Sequence, residues 1–130
     1  MPLSYCHPPS GASRWLVACL CAEWCGTCRD FRAPLARLAA QLPAHAFAWL
    51  DIEEQPDLAG EIDVETFPTM LIQDGTRILF YGPVLPDTDG LRRLLRALDE
   101  NGPQPVADDA EVRALAARLA AVHAGAGATP

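Results

Sequence analysis

The sequence predicts an α/β sandwich, one domain built on a mixed β-sheet with helices on both faces. Three observations lead there. Short apolar runs alternate along the chain with stretches of amphipathic helical spacing. An Asp74-Gly75 pair between two β-rich runs marks an antiparallel hairpin. The 130 residues, 50% of them hydrophobic, supply one core and not two. A mean hydropathy of +0.07 excludes disorder throughout.

Residues 1–14 carry Pro2, Pro8, Pro9 and Gly11 and read as a loose lead-in with room for a short edge strand. The run Trp15–Cys21 does not alternate, so it reads as a strand buried on both faces. From Cys25 to Leu42, Phe31, Leu35, Leu38 and Leu42 recur at helical spacing, with Pro34 expected to kink the helix. Phe47–Ile52 is a second strand, and Pro56–Glu61 a short helix announced by its proline. Thr69–Gln73 and Arg77–Tyr81 are the hairpin strands. Leu91, Leu94, Leu95 and Leu98 mark a helix from Asp87, stopped near Asn101-Gly102-Pro103.

A last helix follows, with Asp108 as its cap, Glu111 three residues on, and Val112, Leu115, Leu119 and Val122 along one side. The order β-α-β-(α)-β-β-α-α joins a parallel crossover to an antiparallel hairpin, a mixed four-stranded sheet with a fifth edge strand as an option. The boundaries are a lead-in at 1–14, the α/β domain at 15–101, a helical extension packed on it at 102–124, and a disordered tail at 125–130.

The longest apolar run, Trp15–Ala22, falls far short of the ~20 residues a membrane helix needs. The N-terminus lacks the basic and apolar regions of a signal peptide, which leads us to expect a soluble cytoplasmic protein. A net charge of −7 opposes nucleic acid and anionic membranes as partners. All ten basic residues are arginine, which removes any lysine-based mechanism. Eight acidic residues and no basic one lie between Asp51 and Asp74. They read as a solvated surface, with Asp63 and Glu65 making the rim near Pro68 negative and favouring neutral or basic partners. His7, His45 and His123 are scattered and read as surface histidines.

Chemistry concentrates in the cysteines: Cys6, Cys19, Cys21, Cys25 and Cys28, four of them within ten residues. Such crowding points to redox chemistry or metal binding and away from a secreted disulfide framework. Cys25 falls where a helix begins, and the N–H groups and dipole there stabilise a thiolate by about 0.3–2 kcal/mol. Cys28, one turn deeper, is more buried, so the pair divides into an attacking and a resolving thiol. Gly26 lets the chain enter the helix without a Cβ clash. A C-x-x-C pair alone is a weak signal.

The segment Ala22-Glu23-Trp24-Cys25-Gly26-Thr27-Cys28 after an apolar strand resembles the active-site signature of thioredoxins. Phe67-Pro68-Thr69 resembles that family's Ile-Pro-Thr segment, whose X–Pro bond is cis and faces the active site. Leu50–Pro56 resembles the strand and loop between these motifs, and Gly82 matches a glycine near the site. The resemblance spans residues 15–100. It implies a thioredoxin-like fold with an extra C-terminal helix. It also implies a redox-active Cys25–Cys28 disulfide with no other cofactor and no metal, and substrate contacts from Trp24, Gly26, Thr27, Phe67 and Pro68. A substrate strand would pair beside Cys25 at the edge formed by Phe67.

Several positions depart from the family pattern. Cys19 and Cys21 stand where the family carries a buried aspartate and a tryptophan, and Trp49 replaces the lysine partner of that aspartate. The acid–base pair that helps deprotonate the deeper cysteine is therefore missing. Cys19 and Cys21, two apart on one strand, face the same side of the sheet, beneath the active-site helix if the thioredoxin geometry holds. They are either small buried hydrophobes or thiols able to exchange with the active-site disulfide. Thr27 replaces a proline, which predicts a less reducing pair, and Pro34 falls one residue later than the family norm.

Three functions compete. The first is a thiol–disulfide oxidoreductase, monomeric, reducing protein or small-molecule disulfides and recycled by a flavin reductase or a low-molecular-weight thiol. The second is a zinc protein using Cys19, Cys21, Cys25 and Cys28 as ligands. The third is a redox-inactive binding module whose last helix docks a partner.

Overall fold

The computed structural model describes residues 3–6, 13–22, 25–64, 66–104 and 109–127. Its elements run β1 (Ser4–Tyr5), β2 (Leu16–Cys21), α1 (Gly26–Gln41), β3 (Ala46–Asp51), α2 (Pro56–Ala59), β4 (Thr69–Asp74), β5 (Arg77–Pro83), α3 (Thr88–Asn101) and α4 (Ala110–Gly127). The five strands form one sheet in the order β1-β3-β2-β4-β5. The β2–β3 pair is parallel, as a strand–helix–strand crossover requires, and the other pairs are antiparallel. The option of a fifth strand is taken up by β1 at the β3 edge.

Alternation of side chains divides the core into two layers. Val17, Cys19 and Cys21 of β2 pack with Trp49, Met70 and Ile72 against Phe31, Leu35 and Leu38 of α1 and Leu91, Leu95 and Leu98 of α3. Leu16, Ala18 and Leu20 pack with Leu50 and Leu71 against Leu58 of α2 and Val112, Leu115 and Leu119 of α4. Both faces of β2 are thus covered, which is why its sequence shows no polar alternation.

The expected elements lie where periodicity puts them, with differences at their ends. Asp74 pairs with Arg77, so the hairpin loop is Gly75-Thr76, one residue later than the Asp74-Gly75 signal, and Gly75 takes φ +58°. The α3 cap is Asp87, whose Oδ1 accepts from Asp89 N at 3.0 Å. Asp108 lies outside the described residues. The α4 cap is Asp109, whose Oδ1 accepts from Glu111 N at 2.9 Å and Val112 N at 3.3 Å. That helix continues to Gly127, into the segment expected to be disordered.

Two histidines expected at the surface are partly buried. His45 stacks on Trp15 at 4.9 Å, and His123 Nδ1 hydrogen-bonds the Tyr5 hydroxyl at 2.6 Å, tying α4 to β1. His7 lies outside the described residues. Asp51 is buried too, its Oδ1 accepting from Glu53 N and Glu54 N, so it belongs to the turn after β3 and not to a solvated face. Among the described residues no helix is long and apolar enough to cross a membrane.

Candidate active site

The site lies where β2 hands the chain to α1. Cys25 is the N-cap of α1: its N–H donates to Ala22 O at 3.0 Å and its carbonyl accepts from Arg29 N at 3.1 Å. These bonds hold Cys25 at the positive end of the helix with its side chain partly exposed. Cys28, one turn along, points into the core and is 0% exposed. Gly26 and Thr27 are exposed between them. A Cβ built on Gly26 would meet only the Arg29 guanidinium, at 3.9 Å. The steric reason expected for this glycine therefore does not hold, because the entry into α1 leaves room for a side chain. Trp24, the expected substrate contact, lies outside the described residues, as does Glu23.

The disulfide differs from the expected pair. Cys28 is bonded to Cys21, with Cα atoms 5.9 Å apart, and Cys25 is a free thiol. The physical reason is direction. Cys21, at the end of β2, projects toward α1, where the Cys28 side chain enters the core from above. Cys25, at the cap, is only partly buried against the same cluster.

Cys19 Sγ lies 3.5 Å from Cys21 Sγ. Burial pushes the Cys19 thiol far above its ordinary pKa, and nearby Cys6 adds to the shift. Burial likewise pushes Cys6 up to about 11, with Arg32 opposing. All five sulfurs thus belong to or border one apolar cluster beneath α1.

Pairing of Leu20 with Thr69 brings the Pro68 loop to the end of the sheet where β2 delivers Cys21. The Phe67–Pro68 peptide bond is cis. Pro68 is buried and Phe67 half-buried against the cluster that also holds Cys21 and Cys28. The loop is fixed by Val84 N donating to Pro68 O at 3.1 Å and Thr69 Oγ1 donating to Thr66 O at 2.6 Å. Beside it a groove is lined by Asp63, Thr66, Tyr81 and Pro83. Burial raises the Tyr81 pKa, and Asp109 and Asp63 raise it further, so this rim carries negative potential. Glu65 lies outside the described residues.

Cys19 stands opposite Trp49 in the β2–β3 register. These are the positions expected to lack an acid–base pair, and they hold a thiol and an indole whose Nε1 is buried without a hydrogen-bond partner. The Arg32 guanidinium sits 5.3 Å from the Trp49 ring. Among the described residues no three His, Cys, Asp or Glu side chains are grouped to hold a metal ion.

The sequence profile of the Thioredoxin family matches residues 10–91. The chain belongs to the thioredoxin family. It is 34% identical over 74 residues to the thioredoxin of Chlamydia muridarum, a match covering 57% of this chain and 72% of that one. It is 37% identical over 57 residues to thioredoxin C-3 of Corynebacterium nephridii, covering 44% of this chain and only 39% of that relative. Among solved structures, oxidised mitochondrial thioredoxin 3 of Saccharomyces cerevisiae superposes with a TM-score of 0.56 at 26% identity, covering 66% of this chain and 80% of that one. Family membership and a disulfide at the β2–α1 junction support thiol–disulfide oxidoreductase chemistry in general. Within this thioredoxin fold Cys21, one of the two strand cysteines expected to be either a buried hydrophobe or an exchanging thiol, is the one bonded to Cys28, and Cys19 is free.

Proposed function

We propose that this protein is a thiol–disulfide oxidoreductase of the cytoplasm that reduces disulfides through Cys25. The observation that carries the reading is a free, partly exposed thiol at the N-cap of α1 with a second cysteine, Cys28, one turn deeper. In the reduced protein the Cys25 thiolate attacks one sulfur of a substrate disulfide and expels the other as a thiolate. Cys28 then attacks Cys25 Sγ in the mixed disulfide, releasing the reduced substrate and leaving both electrons of the dithiol on it.

Gly26, Thr27 and the Phe67-Pro68 segment form the docking surface, and Trp24, the neighbour of Cys25 in the sequence, is a further substrate contact. An extended substrate backbone pairs there in strand fashion. Protein and small-molecule disulfides are the substrate class, and the negative rim at Asp63 favours neutral or basic ones. A flavin reductase or a low-molecular-weight thiol returns the protein to the dithiol.

Reduction of a protein disulfide, followed with dithiothreitol as the electron source, tests this directly. Wild type accelerates the reaction and Cys25→Ser abolishes the acceleration. Equal rates for the two proteins would mean that Cys25 is not the attacking group.

A further inference from the structure

We infer that Cys21 is a third redox cysteine, exchanging with Cys28 so that oxidation at Cys25 is stored as a buried Cys21–Cys28 disulfide while Cys25 returns to a free thiol. The inference rests on the reading of Cys25 as the attacking thiol. Cys28 is the shared member: it lies one helical turn from Cys25 and is bonded to Cys21 across a Cα separation of 5.9 Å, within the span a disulfide bridges.

The exchange is an isomerisation that needs no outside oxidant. Starting from a Cys25–Cys28 disulfide, the Cys21 sulfur gives up its proton and attacks Cys28 Sγ. The Cys21–Cys28 bond forms, the Cys25–Cys28 bond breaks, and its electron pair leaves on Cys25 Sγ, which takes up a proton. One disulfide and one thiol exist on each side. Cys25, partly exposed at the N-cap, leaves where water reaches the departing sulfur, whereas Cys21 is sealed in the core. In the reverse step Cys19 is placed to help. Cys21 has no proton while bonded to Cys28, so at 3.5 Å it is the Cys19 S–H that donates to Cys21 Sγ, and the same contact receives the charge when Cys21 is released.

The consequence is an oxidised form with different access. Cys21 and Cys28 are both 0% exposed, so an external reductant cannot reach either sulfur of their bond, whereas Cys25 stays open to solvent. Electrons must return through Cys25, which attacks Cys28 and re-forms the accessible pair.

Cleavage sites in the chain make the test direct. Protein oxidised with diamide, quenched in acid, blocked with N-ethylmaleimide and cut at arginine and glutamate yields peptides 15–23 and 24–29. A Cys21–Cys28 disulfide joins the two peptides and leaves the blocking group on Cys25. A Cys25–Cys28 disulfide leaves the peptides separate with Cys25 unblocked. Fragmentation of the joined pair distinguishes Cys21 from Cys19. We expect the joined pair in wild type, and in Cys21→Ala the loss of that linkage together with loss of blocking at Cys25. Separate peptides in oxidised wild type, or a bond through Cys19, would overturn the inference. The reduction assay on the same wild-type sample judges the proposed function separately, since diamide forms the disulfide whether or not the protein turns over substrate.

Discussion

Glycine at position 26 is dispensable for the backbone, and glycine at position 60 is not. Gly26 has no positive φ and an added Cβ would sit in open contact range, so Gly26→Ala removes freedom from the unfolded chain without a clash. We expect it to stabilise the fold by about 0.4–1 kcal/mol in urea unfolding. Gly60 closes α2 at φ +63°, ψ −136°, under the Arg118 guanidinium, whose Nε donates to Leu58 O at 2.7 Å and Nη2 to Ala59 O at 2.9 Å. Gly60→Ala forces both the backbone and this clamp, and we expect a loss of about 1–3 kcal/mol. A destabilised Gly26→Ala, or an unaffected Gly60→Ala, would refute the respective argument. The site was readable in part at this scale. The positions of Cys25 and Cys28 follow from one helix turn after an apolar strand. The bond from Cys28 to Cys21 does not, because alternation tells which face a cysteine takes and not which sulfur across the layer it meets.

Among the elements, α4 makes the clearest case for tertiary control. Its apolar stripe was legible as helical, and Val112, Leu115 and Leu119 are buried against Leu16, Leu20 and Leu71. Its cap is Asp109 and not the expected Asp108, because the Asp109 carboxylate is the one that accepts from the first-turn N–H groups of Glu111 and Val112. Its end lies further on because alanine-rich chain continues a helix once the preceding turns are anchored, here by His123 on Tyr5. The helix covers the second face of β2, so it is part of the core and not an appendage. Leu119→Ala should cost about 2–5 kcal/mol in equilibrium unfolding. Asp109→Ala should cost about 0.5–2 kcal/mol by exposing the first-turn N–H groups. If Leu119→Ala unfolded at the wild-type urea midpoint, α4 would have to be detached from the sheet in solution. The hairpin teaches the same lesson on a smaller scale: Asp74 pairs with Arg77, leaving Gly75-Thr76 as the loop, and the register shift at Ile72/Gln73 is a bulge that a turn dipeptide does not announce.

For the molecule as a whole, stability should be bounded on both sides of neutral pH by groups the fold keeps uncharged. On the acid side, burial lowers the pKa of His45, with Arg14 adding to this, and burial lowers that of His123, both from 6.5. Below 6.5 the unfolded chain binds protons that the fold refuses, so stability falls as pH drops through that value. The Asp99 carboxyl, held down by its hydrogen bond from Arg14, acts separately and only below 3.8. On the alkaline side, burial raises Cys6 from 9.0 to about 11 and raises Cys19 as well. Their contribution is complete below 9.0 and is lost as pH rises toward the folded values, because the unfolded chain ionises first. The urea midpoint, measured at constant ionic strength, should therefore decline below pH 6.5 and again above pH 9.0. Cys6→Ala should flatten the alkaline decline and leave the acid one, while His45→Gln should do the reverse. An alkaline limb as steep in Cys6→Ala as in wild type would remove that thiol from the account and leave the decline to Cys19 and to Tyr5 and Tyr81, whose pKa values are raised from 10.0 mainly by burial.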